Sequence, residues 1–160
     1  MWERTTKAIP FAAVLDAALG EAGQRGARKL GTDHLLLGLL HDADSVAARA
    51  LGVTLEDARA ALDDLDRAAL ATIGLDVSGL ELPAPQGKRL SLSRNNVTSS
   101  SRAVLHSAVE ATGRKTRHLA PSHLLRSILA LREPDPAAEL LGRLGVDTEV
   151  SKHRLAALEA

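Results

Sequence analysis

Gly31-Thr32-Asp33-His34-Leu35-Leu36-Leu37-Gly38-Leu39-Leu40 is a helix start followed by the most apolar run of the chain. Thr32 is the expected N-cap, because its hydroxyl can accept from an orphan N–H of the first turn. Asp33 falls where the helix dipole favours an anion. Leu35, Leu36, Leu39 and Leu40 line one face and Leu37 widens the stripe, which predicts a helix buried on most sides.

The same layout returns 89 residues later as Ala120-Pro121-Ser122-His123-Leu124-Leu125-Arg126-Ser127-Ile128-Leu129. At that offset Glu21-Ala22 falls on Glu110-Ala111, and Val14-Leu15 on Ala103-Val104. Further on, Leu51-Gly52-Val53 answers Leu144-Gly145-Val146 at an offset of 93. The chain therefore reads as a duplicated helical unit. Residues 1–72 form the first repeat, 73–96 a linker and 97–160 the second repeat, the two together expected to make one compact domain.

Flanking patterns fill in the rest. Phe11, Val14, Leu15, Ala18 and Leu19 have amphipathic helical spacing, ending near Gly23 or Gly26. Asp44 to Leu51 predicts a short helix stopped by Gly52. Thr54 opens another, with Leu55, Ala58, Leu62 and Leu65 inward and Arg59, Asp63, Asp64 and Arg67 outward. Gly74, Gly79, Pro83, Pro85 and Gly87 break any helix in the linker. Thr98 and Ser99 are N-cap candidates for a fifth helix carrying Val104, Leu105, Ala108 and Ala111. Leu124 to Leu131, then Ala137 to Leu144, then Val150, Leu155 and Leu158 supply three more. No segment alternates with period two. The expected fold is all-α: a duplicated four-helix repeat forming a pseudo-twofold eight-helix bundle. Neither repeat has much core alone, so the two are expected to share one.

Composition narrows the function. The chain has 160 residues, no Cys, and 20 basic against 20 acidic side chains. That excludes disulfides, thiolate metal sites and a cysteine nucleophile, and argues against nucleic acid or an anionic membrane as the partner. Trp2 and Phe11 are the only aromatics, so no base-stacking platform exists. No apolar run approaches the ~20 residues of a membrane span. A cytoplasmic protein is expected. No Glu-flanked His pair marks a zinc site, and no Gly-x-x-x-x-Gly-Lys-Ser/Thr cradles a nucleotide. His34 and His123 occupy equivalent repeat positions and read as structural hydrogen-bonding groups. The cluster Arg114-Lys115-Arg117-His118 reads as a solvated helix end. No cofactor is expected.

The motif Gly31-Thr32-Asp33-His34 with Leu35-Leu36-Leu37-Gly38-Leu39, the start Met1-Trp2-Glu3-Arg4-Thr5-Thr6, and Val46-Ala47-Ala48-Arg49-Ala50-Leu51-Gly52-Val53 resemble the N-terminal domain of the Clp ATPases, of the ClpC and ClpA type. The likeness is specific in the first repeat and degenerate in the second. It implies a non-catalytic domain that recruits substrates or adaptors to an unfoldase, and in the ClpC type docks phosphorylated arginine. A carboxylate matches a guanidinium fork bidentately, and a helix N-terminus attracts phosphate. Carried onto this chain, the first site would use Asp33 with Thr6, and the second Thr98 with Ser122. Asp33 stands for the family's Glu. Ser122 replaces the second acid, and a neutral hydroxyl cannot pair with a guanidinium, so the second site is expected to be lost. Asn96 or Val97 stands where the family has Phe, while Trp2 keeps an aromatic on the other side of the groove between the repeats.

Without an ATPase motif, the chain is expected to be either a free-standing homologue or an excised domain, and its run to Ala160 favours the first. It would deliver substrates, or act as a decoy for ligands of the unfoldase, cyclic-peptide natural products among them. A Clp ATPase is itself a candidate partner. Two alternatives stand beside this reading: a helical regulatory module unrelated to proteolysis, and an enzyme on a helical scaffold.

Overall fold

The computed structural model describes residues 10–75 and 87–159, which contain eight α-helices. The first repeat supplies α1 (Pro10–Gln24), α2 (Thr32–Leu39), α3 (Val46–Leu51) and α4 (Leu55–Thr72). The second supplies α5 (Ser99–Glu110), α6 (Ala120–Leu129), α7 (Pro136–Arg143) and α8 (Thr148–Glu159). Short 3-10 turns at Arg94–Asn96 and Arg114–Leu119 precede α5 and α6. Trp2 and Thr6 lie outside the described residues, as does the middle of the linker.

The leucine helices sit where their pattern predicts. Leu35, Leu36, Leu37, Leu124, Leu125 and Ile128 are fully buried. At ~1.5–3 kcal/mol for each fully buried side chain, these two helices anchor the core. Around the α2–α6 contact the packing is reciprocal. α3 lies on α8 as α7 lies on α4, α2 meets α7 as α6 meets α3, and α1 meets α6 as α5 meets α2. That is a pseudo-twofold arrangement, and buried residues of both repeats belong to one continuous core.

Glycine sets two close approaches. On α2, Gly38 faces α1 so tightly that a Cβ there would stand 2.6 Å from the Val14 carbonyl oxygen. Gly23 of α1 and Gly87 of the linker touch backbone to backbone, leaving no room for a side chain on either. The linker's last residues are thereby laid along α1. The Leu90 N–H donates to the Leu19 carbonyl at 3.1 Å, and Arg89 Nε pairs with Asp16 at 2.6 Å.

Three expectations need refining. Arg59 is only partly outside: its side chain is 40% exposed, and its guanidinium pairs with Glu21 of α1, which is only 3% exposed. His41 Nε2 reaches the same carboxylate at 2.8 Å. Burial alone would raise the Glu21 pKa, but hydrogen bonds and charge from Arg59 and His41 overcome it and hold the carboxyl below its ordinary value. Of the three apolar residues that mark α8, Leu155 alone is fully buried, and Val150 is exposed. The short third helix starts at Val46, not Asp44, because the Ser45 hydroxyl caps it by accepting from the Ala48 N–H at 3.1 Å.

Candidate ligand-binding surface

The start of α2 is built differently from its sequence expectation. Gly31, not Thr32, is the N-cap. Its N–H donates to His34 Nδ1 at 2.9 Å, so a side chain from the third helical position supplies the cap. An accepting Nδ1 places the neutral ring's proton on Nε2. Burial holds the His34 pKa below the ordinary histidine range, with Asp33 opposing and Arg25 reinforcing the shift. Asp33 turns Oδ1 back to accept from the His34 N–H at 3.0 Å, and its side chain is 16% exposed. The same oxygen occupies the space a Cβ on Gly31 would need. Gly31, Asp33 and His34 are thus one interlocked turn.

Thr32 is displaced to the first helical position, where its hydroxyl serves the other repeat. It donates to Asp135 Oδ1 at 2.5 Å, and the Ala137 N–H donates to it at 3.2 Å. Asp135 is the N-cap of α7, and its second oxygen accepts from Ser100 Oγ near the start of α5. The starts of α2, α5 and α7 therefore meet on one carboxylate, a place the helix dipoles favour for an anion. Sequence reading missed Asp135. The Asp-Pro pair before an apolar run was the available signal, since Asp suits the N-cap and Pro the next position.

A single parallel bridge, Leu30 to Val97, ties the approach to α2 to the approach to α5. Leu30 N–H donates to the Asn96 carbonyl at 2.6 Å, and Thr98 N–H to the Leu30 carbonyl at 3.1 Å. Thr98 is the N-cap of α5, accepting from the Ser101 N–H at 3.2 Å and donating to Ser101 Oγ at 2.9 Å. Thr98 thus stands beside the segment that leads into Asp33. Ser122 is buried in the first turn of α6. Asn96 is spent locally, its amide donating to the Ser91 carbonyl at 2.7 Å, while Val97 faces outward into a groove.

That open groove, of ≈ 710 Å³, runs between the 92–97 segment and α5. Leu92, Val97, Leu105 and Val109 make its apolar floor, and Leu92 and Val109 are exposed. Arg94, Arg102 and His106 stand on its rim. The volume is typical of a site that holds a small ligand or a few side chains. Among the described residues no group of His, Asp or Glu could hold a metal ion, and no helix is long and apolar enough to cross a membrane.

The described residues therefore form a reciprocal all-α bundle of eight helices with an apolar surface groove. Residues 9–79 match the Clp repeat (R) N-terminal domain family. The crystal structure of the N-terminal domain of the caseinolytic protease associated chaperone ClpD from Arabidopsis thaliana superposes with a TM-score of 0.59 at 20% identity, over 94% of this chain and 93% of that one. No curated protein matches the chain.

Proposed function

We propose that this chain is a non-catalytic docking module of the Clp chaperone–protease system, which holds a polypeptide segment of a substrate or adaptor. The observation that carries the reading is the apolar groove at Val97, Leu105 and Val109, formed by α5 and the segment that Val97 bridges to Leu30 ahead of α2. Residues 1–72 and 97–160 are its two repeats and 73–96 their joint. Phosphoarginine is a second ligand of the same surface. Asp33 would meet the guanidinium through the lone pairs its turn leaves over, with Thr98 across the Leu30–Val97 bridge and Thr6, Trp2 and Ser122 as the remaining candidate residues. In the cytoplasm, the module would either deliver clients to an unfoldase or act as a decoy for that unfoldase's ligands.

Amide chemical-shift mapping of the full chain tests this. Unfolded casein should perturb Val97, Leu105 and Val109; a spectrum unchanged at those amides overturns the docking reading. Free phosphoarginine should perturb Asp33 and Thr98, and Asp33→Ala should abolish that response while leaving the thermal midpoint within a few degrees. Perturbations that persist in Asp33→Ala remove phosphoarginine from the surface.

A further inference from the structure

The groove's rim carries a charge its floor does not require. Arg94, Arg102 and His106 surround four apolar side chains, in a chain whose basic and acidic residues balance. Arg102 is held in place, since Nη2 donates to the Arg94 carbonyl at 2.7 Å and joins the two walls. Glu110, 3.1 Å from His106 Nε2 on the solvent-exposed end of α5, is the carboxylate at this margin. The matching face of α1 carries none of these cations. Ala13, Asp16, Ala17 and Gly20 stand 89 residues before Arg102, Leu105, His106 and Val109. Asp16 is there engaged by the chain's own Arg89. A cationic margin around an apolar floor therefore belongs to one repeat alone.

From this we infer that the groove's occupant is an acidic amphipathic segment of a partner protein, with apolar side chains on the floor and Asp or Glu side chains against Arg94 and Arg102. The inference rests on the docking reading and names the chemistry of its partner. Complementary charge selects partner and register more than it adds affinity. A guanidinium would meet like charge here, whereas the Asp33 carboxylate would attract one, so the groove and the Asp33 turn favour different side chains. Nucleic acid fits poorly, because nothing aromatic lines the groove for bases to stack on.

Three labelled peptides with identical apolar positions, flanked by Glu, Gln or Lys, test the inference by fluorescence anisotropy with the full chain. The Glu peptide should bind ~10-fold tighter than the Gln peptide, the sum of two partly exposed ion pairs. The Lys peptide should bind weakest, and the gap should shrink at high salt. Arg102→Glu should reverse the order, and Arg94→Gln should narrow it, both at exposed positions. Equal binding of all three peptides, with shifts at Val97 and Leu105, overturns the inference and leaves the docking reading standing. Binding of none overturns both. A concentration-dependent dimer dispersed by Val109→Glu also overturns it, since the groove would then hold a second copy.

Discussion

The starts of α2 and α6 descend from one pattern and are built on different backbones. Gly31 is extended, at φ −100 and ψ 168, and lets the His34 ring and the Asp33 carboxylate fold back over the first turn. Its counterpart Ala120 is helical, at φ −57 and ψ −40, because the preceding 3-10 turn runs straight into α6. The start of α6 has no side-chain cap, and Pro121 stands in its first turn. The absences of an acid at Ser122 and of a glycine at Ala120 therefore go together. The space above Gly31 is kept clear for a carboxylate, and where the carboxylate is gone a methyl group is allowed. The two helix starts thus differ in backbone as well as in side chain, while their buried faces correspond.

That face supplies the largest expected effect. Leu36 and its counterpart Leu125 are both fully buried. Truncating either to Ala should cost ~2–5 kcal/mol, with losses alike within about 1 kcal/mol in denaturant midpoints. A large inequality would break the symmetry of the core. Next come the helix crossings. Gly38→Ala should cost ~1–3 kcal/mol through overpacking against Val14, whereas Ser127→Ala at the matching place should stay within about 0.5 kcal/mol. Equal costs would mean that α5 crosses α6 as tightly as α1 crosses α2.

The buried polar group is a third asymmetry. Removing Arg59 leaves the Glu21 carboxylate short of a partner, and Arg59→Ala should cost ~1–3 kcal/mol near neutrality. Glu110, the counterpart of Glu21, is exposed, and Glu110→Ala should cost almost nothing. Because folding lowers the Glu21 pKa, its contribution is complete above the ordinary value of 4.5 and is lost as pH falls through the folded value. The gap between wild type and Arg59→Ala should therefore close on acidification below that point, as read by urea melts across pH. A gap that widens there would rule out Glu21 as the cause. Smallest is Ser122→Glu, which should add no second phosphoarginine equivalent in a calorimetric titration, since the helical backbone at Ala120 does not offer the Gly31 turn. A second equivalent would show that the acid alone makes the site.

The eight helices were legible because leucine spacing reports the buried face directly, and Leu35 to Leu40 and Leu124 to Leu129 carry most of it. Caps made by a residue's own neighbourhood were half legible. Thr54 and Thr98 cap as their chemistry suggests. Thr32 does not, because a histidine three residues from Gly31 took the task and Asp135, 103 residues away, took the hydroxyl. The partner of the half-exposed Arg59 was hidden for the same reason, Glu21 lying 38 residues back on another helix. Local propensity is written in the sequence. Which distant group claims a polar side chain is decided by packing, and the groove at Val97, assembled from a linker and a helix, belongs to that second kind.

The crosswise seating of α3 on α8 and of α7 on α4 is what two separate four-helix chains would adopt as a symmetric homodimer, each lending its last helices to the other. Covalent fusion of such a pair makes each half's concentration at its mate permanent, so neither half must remain self-complementary. One can keep the ancestral chemistry while its twin is released to acquire another.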